Sequence, residues 1–144
     1  MRWAIGIGVV VVLLGMAEFR ILPRGELSGP AAAAPVSWGL IVDDHLCLLE
    51  TRAPEPRSVR VGCDSVDGVL YVHSHRWADP PRLIGASWVA EVAQNPAVRM
   101  EHEGKIYELL ARKVPDPEQR NRILSARGHE PPPEDMHLFR FVSR

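Results

Sequence analysis

Two acidic–glycine pairs, Asp67–Gly68 and Glu103–Gly104, each interrupt a stretch rich in β-branched and aromatic residues, and they constrain this chain more than any other feature. A two-residue connection of this kind needs positive φ at its centre, which glycine accepts freely, and it turns the chain back on itself as an antiparallel hairpin. Before the first pair, residues 57–63 (RSVRVGC) alternate Val59, Val61 and Cys63 with Ser58 and Arg60, the pattern of a half-buried strand. Residues 69–74 (VLYVHS) follow it. The second pair joins 98–102 (VRMEH) to 105–114 (KIYELLARKV). Two further runs read as strands: 46–52 (LCLLETR), ended by Pro54 and Pro56, and 136–142 (MHLFRFV), which closes the chain. Six short strands joined mainly by hairpins predict an antiparallel sheet. A sheet of that size hides its edges by curling into a small barrel.

Two helices interrupt the strands. Residues 88–95 (WVAEVAQN) predict a short one with Ser87 as N-cap; Trp88 with Val92 and Val89 with Ala93 lie one turn apart and form its buried stripe. Glu91 sits off that stripe. Pro96 biases Asn95 out of the helical region and launches the next strand. The second helix has Asp116 as N-cap, Pro117 at its first position, Gln119 in capping-box position and Gly128 as its stop. Its apolar content is little more than Ile123 and Leu124, which predicts a surface position.

The N-terminus differs in kind. Residues 3–17 (WAIGIGVVVVLLGMA) hold no charge and follow Arg2. Apolar on all sides, this run predicts a membrane or export segment. It reaches roughly 22 Å as a helix, short of a hydrocarbon core of roughly 30 Å unless the helix continues to residue 22. Residues 1–22 therefore read as a transmembrane anchor in contact with membrane lipid, with a cleaved signal peptide as the alternative. Arg20 and Arg24 follow the segment, a weak bias towards a cytoplasmic body; an exported body is the alternative. Residues 23–36 (PRGELSGPAAAAPV) have no apolar period and read as a linker, which leaves 37–144 as the folded domain.

A net charge of −1 and the absence of a Lys/Arg run exclude an electrostatic footprint for nucleic acid. Cys47 and Cys63 lie sixteen positions apart on separate strands, so neither a CxxC redox motif nor a zinc knuckle is present. Two buried thiols acting as small apolar residues are expected. Tyr71, His73 and His75 share a strand face, but two histidines are too few for a metal, and His45, His102, His137 and Glu101 have no predicted place beside them; no metal is expected.

The order of these elements resembles the split β-barrel flavin and deazaflavin proteins, most nearly the F420-dependent nitroreductase and quinone-reductase branch. The resemblance rests on Thr51 at a strand end, then Pro56–Arg57, then "VHSHR" with Ser74 and Arg76, then Trp88 seven positions before Asn95–Pro96. It continues through "IYELLAR", ending in Ala111–Arg112, and "DPEQR" at 116–120. It covers residues 46 to about 142. What it implies is a six-stranded split barrel with two helices that binds F420 or FMN, passes hydride to a quinone-like or other lipophilic acceptor, and forms a homodimer. By the same resemblance Arg57 and Arg76 hold the cofactor phosphate, Ser74 and His75 add contacts, and Trp88 walls the ring. Two departures bear on that. The family's Gly-Arg-Lys-Ser-Gly turn is shortened to "RAPEP", and the asparagine often found three residues after the helix tryptophan is Glu91, a carboxylate that repels phosphate unless it points to water or marks an altered site. The competing expectation is a non-catalytic, degenerate split barrel that serves at the membrane as a ligand-binding or interaction module.

Overall fold

The computed structural model describes residues 25–39, 41–52, 54–74 and 87–144, with backbone alone for 42–46. The chain order is β1 (Ala31–Ala32), β2 (Val42–Thr51), β3 (Arg57–Val66), β4 (Val69–His73), α1 (Trp88–Gln94), β5 (Ala97–His102), β6 (Lys105–Lys113), α2 (Pro117–Ala126) and β7 (Leu138–Ser143). The expected anchor over 1–22 lies outside the described residues, among which no helix is long and apolar enough to cross a membrane.

The two hairpin turns form as their sequences require. Asp67 and Gly68 have φ of 52° and 76°, and Glu103 and Gly104 of 50° and 74°, so all four residues are left-handed. Positive φ at both central positions is the type I′ geometry, whose twist matches that of the flanking strands. At Gly68 a side chain has no room either, because a Cβ would meet the Ser37 hydroxyl.

Antiparallel pairing runs β6–β5–β2–β3–β4–β7, and β7 returns to β6, which closes a six-stranded barrel. The closing pair sets Leu109 opposite Ser143 and Lys113 opposite Phe139. Its interior is filled by Leu49, Leu70, Val72, Val98, Met100, Leu109 and Phe141, all nearly or fully buried. Each such side chain contributes roughly 1.5–3 kcal/mol of burial free energy. α2 begins as its sequence predicts, with the Asp116 carboxylate accepting from the backbone N–H groups of Glu118 and Gln119. It lies on the outside of the barrel, yet Ile123 and Leu124 are buried against Tyr71, Val114, Met136 and Leu138 in a second apolar cluster.

Residues 25–36 differ from the expected free linker. Ala31–Ala32 adds a parallel strand beside the first half of β6, pairing with Ile106 and Tyr107. Leu27 is buried with Leu48 and Ile106. Its N–H donates to the Glu50 carboxylate at 2.5 Å, and its carbonyl accepts from Arg99 at 2.9 Å. Arg99 also reaches the Gly29 carbonyl at 3.0 Å, and Ser58 donates to the Gly25 carbonyl at 2.9 Å. A segment with no periodic pattern is thus strapped down by polar groups of β2, β3 and β5. Glu50 is fully buried and faces Arg99 at 3.7 Å and Arg52 at 3.4 Å, so its charge is balanced inside the fold.

Candidate functional site

The open end of the β2–β3 hairpin, the start of α1 and the start of β7 converge at one end of the barrel. Thr51 closes β2 and sits directly opposite Arg57, the first residue of β3. α1 lies across them. Its buried face is Trp88, Glu91 and Val92, an i, i+3, i+4 set, while Ala93 faces solvent. The expected stripe is corrected by one residue: Glu91, not Ala93, turns inward. Ser87 has the extended backbone of an N-cap, but its hydroxyl makes no capping bond.

Glu91 is 3% exposed and both of its oxygens are engaged. The Thr51 hydroxyl donates to Oε2 at 2.5 Å, and the Arg57 guanidinium forms a hydrogen-bonded ion pair with Oε1. A carboxylate can be buried here because a cation and a hydroxyl together replace its water. Arg57, expected to hold a cofactor phosphate, therefore holds a carboxylate of its own chain. A phosphate charge about 4 Å from Glu91 would meet repulsion of roughly 4 kcal/mol per unit charge at an effective dielectric of about 20.

The other described members of the expected site have partners of their own. Ser74 is fully buried; its N–H donates to the His137 carbonyl and its Oγ accepts from the His137 N–H, both at 2.8 Å. That exchange extends the β4–β7 ladder, so the hydroxyl expected to touch a cofactor is part of the sheet's end. Trp88 packs its ring 5.2 Å from that of Phe139 at an interplanar angle of 56°, which joins α1 to β7. The ring is only partly buried. His75 and Arg76 lie outside the described residues. Arg57, Ser74 and Trp88 belong to the same end of the barrel, but two of the three are committed to internal partners through the groups expected to bind.

Cys47 and Cys63 are joined in a disulfide, with Cα atoms 6.1 Å apart, and not left as two thiols. A register shift in β2 between Asp44 and Cys47 brings them onto neighbouring positions of the barrel interior. His102, at the end of β5, points Nδ1 at the Cys47 sulfur from 3.6 Å. No local motif in the sequence signals this group, because its members come from three strands. A separate cleft of about 420 Å³ lies between the β3–β4 hairpin and α2, walled by Val66, Val69, Tyr71, Ile123 and Ala126, with Asp67 and Arg122 as its charged lining.

No protein-family model matches the chain, and no curated protein matches it. Solved structures do. An F420-H2 dependent reductase (FDR-A) superposes with a TM-score of 0.51 at 20% identity, over 72% of this chain and 100% of that one. A protein of Listeria innocua described as "Putative Pyridoxamine 5′-phosphate oxidase" gives 0.50 at 16% identity, over 68% and 82%. A conserved hypothetical protein from Mycobacterium tuberculosis gives 0.50 at 13% identity, over 71% and 74%. The chain is a split β-barrel. The resemblance drawn from Thr51 through "DPEQR" thus holds at the level of the fold. The split barrel here keeps the helix that opens on Trp88 and fills its inner face with Glu91.

Proposed function

We propose that this split barrel is a non-redox ligand-binding or interaction module, held at a membrane by its apolar N-terminal segment, and not a working flavin or deazaflavin reductase. The observation that carries this reading is the Glu91 carboxylate seated between Thr51 and Arg57. A phosphate-bearing cofactor would have to displace that carboxylate from its cation and leave it buried with only the Thr51 hydroxyl as partner, and the shortened "RAPEP" turn offers neither lysine nor serine in exchange. Among the described residues, the arrangement around Arg57 does not fit the phosphate of F420 or FMN, so no hydride-transfer step is derived through either.

The disulfide supports the same reading from another side. Disulfides persist in oxidising compartments, which favours an exported body over the cytoplasmic one suggested by Arg20 and Arg24. Outside the membrane the chain would be cut off from the cell's reduced nicotinamide, flavin and deazaflavin pools. The cleft at α2, mostly apolar and within the size range of small-molecule sites, is where such a module would take a small, mainly apolar ligand, with Arg122 and Asp67 as the charged groups on its lining.

The reductase reading keeps one support, the fold itself. An assay separates the two: the purified full-length chain is supplied with reduced F420 or reduced FMN and a quinone or nitroaromatic acceptor, and cofactor oxidation is followed by absorbance. Oxidation at the rate of the protein-free control is expected. Saturable turnover above that rate would overturn the proposal.

A further inference from the structure

Three soft or borderline donors meet in the barrel interior: Cys47 from β2, Cys63 from β3 and His102 from β5, all buried, with their ligand atoms within 4.8 Å of one another. We propose that, once the disulfide is reduced, these three residues form a binding site for a thiophilic divalent cation of the zinc type. This stands apart from the Glu91 site and does not depend on it.

Geometry and chemistry agree on that donor set. In a tetrahedral site with metal–sulfur bonds of about 2.3 Å and metal–nitrogen bonds of about 2.0 Å, neighbouring donors sit roughly 3.5–3.8 Å apart. His102 Nδ1 is already 3.6 Å from the Cys47 sulfur. The two sulfurs must separate, and breaking their bond frees both side chains to do so. The imidazole is oriented for the role as well. Its Nδ1 edge faces the sulfurs, while Nε2 is turned the other way, 3.9 Å from the carboxylate of exposed Glu103. Two thiolates with one imidazole select zinc-like over magnesium-like ions, and three protein donors leave a fourth position to solvent or an added ligand.

The step balances. Two molecules of a small thiol reduce the disulfide and leave as their own disulfide, passing two electrons and two protons to Cys47 and Cys63. The cation then replaces those two protons, which go to solvent. The barrel interior would thus be closed by a metal ion where thiols are kept reduced and by a covalent bond where they are not, so one chain could hold its core on both sides of a membrane.

The test uses cobalt(II) as a coloured substitute. The purified full-length chain is reduced with a small thiol under anaerobic conditions, desalted and titrated with Co²⁺. A near-ultraviolet thiolate-to-cobalt charge-transfer band should grow, saturate at one equivalent, and vanish on adding Zn²⁺; the unreduced protein should show none. His102→Ala should weaken Co²⁺ binding about tenfold or more and shift the visible bands, since even outer-sphere partners of metal ligands contribute on that scale. No band in the reduced chain would overturn the proposal. So would an H102A titration identical to that of the parent, because capture by two cysteines of an unfolded chain does not depend on His102.

Discussion

A carboxylate as deeply buried as Glu91 is stable only while its partners remain, and the two sides of the Arg57 pair are not equivalent. Replacing Arg57 by Met leaves a charge in the interior; replacing Glu91 by Gln leaves a guanidinium that is 30% exposed and can turn to water. We predict that R57M costs about 2–3 kcal/mol, below the roughly 3–5 kcal/mol of fully enclosed pairs because water reaches Arg57. E91Q should cost about 1–2 kcal/mol, since Thr51 keeps an acceptor. Urea denaturation of the two variants checks the order, and a larger loss for E91Q would contradict this account of the pair. The sequence made Glu91 conspicuous without showing its partner. Helical periodicity ranks residues by apolarity, which points Ala93 inward; the cation that makes Glu91 the better interior residue lies 34 positions away, at the start of β3.

At the scale of elements, the turns and strands were legible because they depend on neighbours in sequence. Asp67–Gly68 and Glu103–Gly104 are left-handed because a two-residue hairpin between adjacent strands demands it, and Asp116 caps α2 with atoms two and three residues on. The strap formed by residues 25–32 was not legible. Two alanines carry no period, and its anchors, Glu50, Ser58 and Arg99, lie 23 to 72 positions from the backbone groups they hold. Arg99→Met should release it, costing about 2–4 kcal/mol for two hydrogen bonds from a charged donor and a buried Glu50 left with Arg52 as its one cation. Hydrogen exchange should then show the Leu27 amide losing its protection while amides shared by β3 and β4 keep theirs. Unchanged protection at Leu27 would mean that the strap is held by its apolar contacts with Leu48 and Ile106.

For the whole molecule, the order of motifs from Thr51 to Arg120 was enough to name the fold, whereas closure was not readable locally, since it joins residues 109–113 to 139–143. The disulfide escaped for the same reason: its two cysteines meet only through strand register and an irregularity in β2. Reducing it opens a loop with a sequence separation of 16 and should lower the unfolding free energy by about 3 kcal/mol, measurable as a drop in the denaturation midpoint with and without reductant in metal-free buffer. The central claim, on the proposed reading, is that the Glu91 carboxylate takes the place beside Arg57 that a cofactor phosphate would need. Its most direct test is fluorescence anisotropy of F420 and of FMN titrated with the wild-type and E91Q chains side by side. The wild-type chain should leave both signals unchanged at micromolar protein, and any binding should emerge only in E91Q; micromolar binding by the wild-type chain, undiminished relative to E91Q, would contradict the claim.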